Sequence, residues 1–105
     1  MKQTNRSVIK LNYTPLAKAD LRDILTYGQE HWGANAAYDF VVGLETEFKL
    51  FLQNPQAGRI VENPFMSPTD GEHRTFAFGN YQVYYEVQPS ILLVHAIIPK
   101  HRPLA

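Results

Sequence analysis

The sequence predicts an α+β protein in which one strand, two helices and three further strands follow one another, in the order β-α-α-β-β-β. Apolar and polar residues alternate before residue 14 and again after residue 73, as they do in half-buried strands. Between these regions apolar residues recur every three or four positions, the spacing of amphipathic helices. A length of 105 residues with 45% hydrophobic side chains suits one domain covering residues 1–105.

The first strand is predicted at Val8–Tyr13, where every second side chain is apolar. It ends at Thr14, whose hydroxyl is a good helix N-cap, and Pro15 fits the first helical position. An apolar stripe then continues to Trp32, and Gly33 ends the first helix.

The second helix is predicted to begin at Asn35, which can cap it, and to end before Asn54-Pro55. The link between the two helices is very short. The helices must therefore form an antiparallel hairpin.

The remaining elements follow a long connection. Residues Pro55–His73 are rich in Pro and Gly and are interpreted as a loop. Arg74–Phe78 and Tyr81–Val87 alternate as strands around a Gly79-Asn80 hairpin turn. Ile91–Ile98 is almost wholly apolar, which is typical of a central strand covered on both faces. We expect an antiparallel sheet with both helices on one face.

Charge and composition narrow the classes of function. Ten basic and ten acidic side chains cancel, so direct nucleic-acid binding is expected to be weak or absent outside a local patch. The lack of Cys excludes thiol catalysis and disulfides. No N-terminal stretch has the length of a secretory apolar segment, and the longest apolar run, Ile91–Pro99, is too short to span a bilayer. We therefore expect a cytoplasmic protein without membrane contact.

No metal or cofactor is predicted. The four His are far apart along the chain, and the chain has no Cys and no clustered acidic ligands, so the spacing of zinc and calcium sites is absent. The sequence also has no Gly-rich phosphate loop and no Ser/His/Asp signature.

Several segments, taken in their order and spacing, resemble the ParE/RelE toxin superfamily, and its ParE branch above all. These segments are Ala19-Asp20-Leu21-Arg22-Asp23-Ile24, Tyr27, Trp32-Gly33, Pro55-Gln56-Ala57-Gly58-Arg59, Arg74, Tyr81–Val87, and the last strand with His101-Arg102. The resemblance covers nearly the whole chain, and its β-α-α-β-β-β layout agrees with the elements predicted above.

The resemblance implies a toxin that is encoded beside a small antitoxin, here a ParD-like one. ParE toxins inhibit DNA gyrase, whereas RelE toxins cleave messenger RNA on the ribosome. RelE-like enzymes use an Arg in the hairpin strands and a Tyr beyond the last strand. This chain has Phe76-Ala77-Phe78 at the first position and no Tyr after Pro99. We therefore expect a gyrase inhibitor without a catalytic residue of its own.

Two alternatives to gyrase inhibition remain. One is a RelE-like, metal-independent endoribonuclease that acts on the ribosome. The other is a family member that binds an antitoxin but is no longer toxic.

Candidate target-binding residues lie in the strands and the basic tail. They are Arg59, Arg74, Tyr84, Glu86, Lys100, His101 and Arg102. If Tyr84 and Glu86 point away from Tyr85, they can share a surface with the tail. The alternative for Arg59 is pairing with a nearby carboxylate, and the alternative for Tyr84 is cross-strand packing.

Overall fold

A computed structural model of the chain describes residues 10–65 and 71–101. Its elements are β1 (Lys10–Tyr13), α1 (Pro15–His31), α2 (Ala34–Gln53), a 3-10 turn (Pro55–Ala57), β2 (Arg59–Ile60), β3 (Glu72–Phe78), β4 (Tyr81–Val87) and β5 (Ile91–Pro99). The strands form one sheet in the order β1-β5-β4-β3-β2. The α+β class and the helix hairpin are confirmed. Val8 and Ile9, which belong to the first predicted strand, lie outside the described residues.

The sheet is mixed, so the prediction of a purely antiparallel sheet is wrong for β1. This strand runs parallel to β5, with Lys10 opposite Ile91 and Tyr13 opposite Val94. The amide of Thr14 continues this pairing past the end of β1, since it donates to the Val94 carbonyl at 3.0 Å. Alternation of side chains indicates which face a strand buries but carries no information on its direction.

A short strand, β2, lies inside the segment that was predicted to be a loop. Arg59 pairs with Thr75, and Ile60 pairs with Arg74. β3 also begins two residues earlier than predicted, at Glu72. A strand of two residues is too short to show a period-two pattern, so no local pattern indicates it.

The two helices of the hairpin are capped differently at their N-termini. Thr14 caps α1 as predicted, because its hydroxyl accepts a hydrogen bond from the Ala17 amide at 3.1 Å. α2 begins at Ala34 with Gly33 as its N-cap, and no side chain caps it, so the predicted cap at Asn35 is wrong. Gly33 has a φ of 96°, which Gly adopts without strain and which lets the chain reverse abruptly.

The core lies between the helix hairpin and one face of the sheet. Its buried residues are Ala17, Ile24, Leu44, Phe48, Val83, Tyr85, Leu92, Val94 and Ile97. Tyr85, Phe48 and Leu44 are the largest of the fully buried side chains, and burial of such residues is the main source of stability. Among the described residues, no helix has the length and apolar composition needed to cross a membrane.

Candidate functional site

The sheet face that points away from the helices is here called the outer face. Residues that pair across antiparallel strands share a face. Glu86 pairs with His73, and Tyr84 pairs with Thr75, whereas Tyr85 belongs to the core on the helix side. Tyr84 and Glu86 therefore lie on the outer face, opposite to Tyr85.

β5 brings a third titratable side chain to this face, at a bulge. Tyr84 pairs with Ala96, but Tyr85 pairs with Val94, so His95 is the extra residue. A bulge of this kind re-aims a side chain. The Nε2 atom of His95 lies 2.7 Å from Oε1 of Glu86.

Glu86 is fully buried and well supplied with hydrogen-bond donors. Its Oε2 accepts from the Gly71 amide at 2.8 Å and from the Gln88 side chain at 3.1 Å. Burial acts to raise the pKa of the Glu86 carboxyl, but the hydrogen bonds from His95, Gln88 and Gly71 outweigh it and hold the pKa below its ordinary value. Glu86 is therefore a carboxylate at neutral pH.

His73 lies beside Glu86 and is 5% exposed. Burial lowers the pKa of His73, although the charge of Glu86 opposes that effect. The imidazole of His73 is therefore neutral at pH 7. Phe65 covers the cluster, since its ring stacks on His95 with the ring centroids 4.8 Å apart and an angle of 25° between the ring planes.

His73 and His95 are far apart along the chain, but the fold brings them together. One potential ligand atom from each of His73, Glu86 and His95 lies within 4.8 Å of the others. A sequence signal for two of these three residues was present: His73 and Glu86 are equally distant from the Gly79-Asn80 turn, and residues placed in this way pair in a two-residue hairpin.

Arg74 is used within the domain. Its Nε donates to Oε1 of Glu72 at 2.8 Å, and its Nη1 donates to the carbonyls of Gln56 and Gly58. The side chain is only 11% exposed. Arg74 thus joins β3 to the turn that follows α2.

The remaining candidates are spread over two ends of the sheet. Lys100 donates its amide to the Asn80 carbonyl, so Lys100 and His101 lie beside the β3–β4 turn. Glu86 is five residues further along β4 from Tyr81, which corresponds to roughly 17 Å. Lys100 and His101 therefore lie at the end of β4 opposite to Glu86.

Arg59 is exposed on the edge strand β2, in register with Thr75 and, through it, with Tyr84. Tyr84 makes an edge-to-face contact with Phe65 at 6.4 Å. Arg102 lies outside the described residues.

A groove that was not predicted from the sequence lies between α1 and the ends of β4 and β5. Its volume is about 680 Å³, and its lining includes Asp20, Asp23, Tyr27, Glu30 and His101. The first four residues recur at three- and four-residue steps along α1, which places them on one face of the helix. That spacing of acidic residues was the available signal.

The helix hairpin also presents exposed apolar side chains. Leu16, Tyr27, Trp32, Tyr38, Val42 and Leu50 are between 40% and 66% exposed. Of these, Tyr27 and Trp32 touch each other, with ring centroids 6.0 Å apart, and adjoining exposed apolar side chains of this kind are typical of a protein-binding surface. The groove and the hairpin are therefore the candidate surfaces for a protein partner.

Comparison with known proteins gives consistent results. A family model described as the ParE toxin of the type II toxin-antitoxin system parDE matches residues 11–103. Toxin ParE1 of Caulobacter vibrioides is 30% identical over 81 residues, which cover 77% of this chain and 79% of that protein.

Two solved structures share the fold. The chromosomal ParDE toxin-antitoxin system from P. aeruginosa has a TM-score of 0.68 at 24% identity, over 88% of this chain and 96% of that chain. The archaeal RelE-RelB complex from Pyrococcus horikoshii has a TM-score of 0.56 at 12% identity, over 91% of this chain and 99% of that chain. At these identities the likeness concerns the fold alone.

Proposed function

Because this chain belongs to the ParE toxin family of type II toxin-antitoxin systems, we propose that it inhibits DNA gyrase and that a cognate ParD-like antitoxin neutralises it. The observation that supports this most is the match to the ParE model over residues 11–103, nearly the whole domain. Inhibition would arrest growth by blocking supercoiling.

The proposed mode of action is occupation of the target, without chemistry by the toxin. Cleavage of RNA without a metal requires a base, an acid and positive charge beside the phosphate. The central strands present Thr75, Ala77, Gln82 and Tyr84 along the outer face. The titratable side chains of that face, His73, Glu86 and His95, are largely buried. The guanidinium of Arg74 is held by Glu72 and by main-chain carbonyls, so it supports the fold.

The antitoxin is proposed to bind the groove beside α1 and the neighbouring apolar side chains. Asp20, Asp23 and Glu30 give this groove negative charge, while Tyr27 and Trp32 offer apolar surface. A segment that carries both basic and apolar side chains complements such a surface. Burial of Trp32 and Tyr27 would supply much of the binding energy, as aromatic residues do at interfaces.

Gyrase is proposed to contact the basic residues after β5. Lys100 and His101 are exposed, and Arg102 follows them in the sequence. Arg59 is exposed as well, but it lies on the opposite edge of the sheet from β1 and β5. Arg74 and Glu86, which make several internal hydrogen bonds, are proposed to act indirectly by shaping the surface.

Supercoiling of relaxed plasmid by purified gyrase tests this function. We expect the full chain to inhibit supercoiling and an equimolar amount of antitoxin to restore it. The variant Lys100→Ala/His101→Ala/Arg102→Ala should lose most of the inhibition, while Lys18→Ala/Arg22→Ala, which removes two exposed basic residues from α1, should retain it.

Undisturbed supercoiling at a large molar excess of folded toxin would reject the proposal. A translating extract provides the second arm of the experiment. Transcripts should remain intact there, and cleavage within the translated region would instead indicate an endoribonuclease.

A further inference from the structure

We propose that His73, Glu86 and His95 form a binding site for one divalent transition-metal ion, with Zn²⁺ as the representative ion. Each of the three central antiparallel strands contributes one of these side chains: β3 carries His73, β4 carries Glu86 and β5 carries His95. One potential ligand atom from each lies within 4.8 Å of the other two. This site is independent of the gyrase and antitoxin proposals.

The set of donors matches the chemistry of zinc. Two imidazole nitrogens and one carboxylate oxygen are ligands that Zn²⁺ binds at about 2.0–2.2 Å. Nitrogen-rich sets of this kind favour zinc and its neighbours over Mg²⁺ and Ca²⁺, which prefer oxygen. Three protein ligands leave one coordination position for a water molecule or another small ligand.

The distances are close to those that a metal requires. Two ligand atoms on one tetrahedral Zn²⁺ lie about 3.4 Å apart. His95 Nε2 and Glu86 Oε1 are 2.7 Å apart, because they share a proton in a hydrogen bond. A metal ion that replaces this proton would move the two atoms apart by about 0.7 Å, which small rotations of the side chains can supply.

Neighbouring groups already orient the carboxylate for this role. Oε2 of Glu86 receives hydrogen bonds from the Gly71 amide and from Gln88, so Oε1 is directed towards His95. Metal-binding carboxylates are typically held in this way by further hydrogen bonds. Position 71 also requires a glycine, since a Cβ there would lie 2.5 Å from Glu86 Cγ.

The surroundings of the cluster would retain a bound ion. Glu86 is fully buried, His73 is 5% exposed, and the His95 side chain is 14% exposed. Phe65 stacks on the His95 ring and limits access by water. A metal bound here would join three strands and would stabilise the folded state, because the unfolded chain does not hold the ligands together.

The test is titration of the purified, metal-free full chain with Zn²⁺ by isothermal calorimetry. We expect one equivalent to bind and the midpoint of thermal unfolding to rise. The variants His73→Gln, His95→Gln and Glu86→Gln should each bind Zn²⁺ at least about tenfold more weakly.

The matched control is His31→Gln/His101→Gln. Both of these His are exposed. The chain has four His, so this double variant retains only His73 and His95. This variant should bind Zn²⁺ as tightly as the unaltered chain. Because it retains the cluster, the control stays informative even where a cluster variant fails to fold.

Replacement of Zn²⁺ by Co²⁺ adds a spectroscopic readout. We expect visible absorption of a low-symmetry Co²⁺ site in the unaltered chain and in the double control variant. The proposal is overturned if the control variant binds no stoichiometric Zn²⁺, or if folded His73→Gln and His95→Gln variants bind it as tightly as the unaltered chain.

Discussion

The Tyr85 hydroxyl accepts a hydrogen bond from the Gly58 amide across 3.0 Å. The same hydroxyl donates to the Pro55 carbonyl at 2.6 Å. Tyr85 is fully buried in β4, whereas Pro55 and Gly58 belong to the turn that follows α2. One side chain therefore fastens the end of the helix hairpin to the middle of the sheet.

The variant Tyr85→Phe should be destabilised by about 1–3 kcal/mol, because the buried Gly58 amide and the Pro55 carbonyl lose their partner. Urea unfolding followed by circular dichroism measures this change. The control is Tyr38→Phe, in which the hydroxyl is removed from a side chain that is 66% exposed. Equal stability of the two variants would show that the hydroxyl of Tyr85 contributes nothing.

Asp20 covers part of the edge of β5. β1 ends at Tyr13 opposite Val94, and beyond this point Oδ2 of Asp20 accepts the Ile97 amide at 2.8 Å. Asp20→Ala leaves that buried amide unsatisfied and should cost about 1–3 kcal/mol of unfolding free energy. Asp20→Asn keeps an acceptor oxygen and should cost less.

The matched control for Asp20 is Asp23→Ala, a change at an exposed position on the same helix. Its unfolding free energy should stay close to that of the unaltered chain. Thermal or urea unfolding of the three variants gives the ranking, and a loss in Asp23→Ala as large as that in Asp20→Ala would contradict the assigned role.

Reversal of charge in the groove tests the proposed antitoxin surface. Asp23→Lys/Glu30→Lys should weaken antitoxin binding by about tenfold or more, because two positive side chains in the groove would then repel the basic segment of the antitoxin. The affinity of the unaltered pair should also fall as salt is raised. Asp39→Lys places a similar change on an exposed position of α2 outside the groove, and calorimetry should show little effect there. Unchanged affinity in the folded groove variant would exclude this surface.

Alkaline pH should destabilise the protein through Tyr13. Burial, with a smaller contribution from Glu45, raises the pKa of Tyr13 from 10.0 to about 12. Above pH 10 the unfolded chain therefore loses this proton before the folded chain does, so stability is complete below pH 10 and declines towards pH 12. Urea midpoints measured across this range should fall less steeply in Tyr13→Phe, and coincident profiles would contradict the prediction.

The sequence predicted those parts of the fold that repeat a local pattern. The stripes of α1 and α2 and the alternation around Gly79-Asn80 each extend over several periods, so they identify an element without knowledge of its neighbours. The direction of β1 depends on contacts with β5, which are distant in sequence. The start of α2 depends on the φ angle of Gly33. Asn35 is a residue type that often caps helices, but residue type alone does not show where a helix begins.

The candidate site was predicted less completely, for a related reason. Pairing of His73 with Glu86 follows from the hairpin turn, but the place of His95 depends on the register of β5 on β4, which a bulge interrupts. A bulge changes the face of a residue without changing its sequence neighbourhood. The internal partners of Arg74 likewise come from the turn after α2, and no local pattern of residues records such a contact.

The pairing of β1 with β5 has a consequence for synthesis on the ribosome. Thr14 and His95 are hydrogen-bonded although 81 positions separate them, and contacts of such long range slow folding. The helix hairpin leaves the ribosome well before Ile91 does. The apolar side of the hairpin therefore has no complete sheet to pack against until translation is almost complete. A nascent chain interrupted before Ile91 would lack the strand β5. A folded toxin would therefore form only after nearly the whole messenger RNA had been translated.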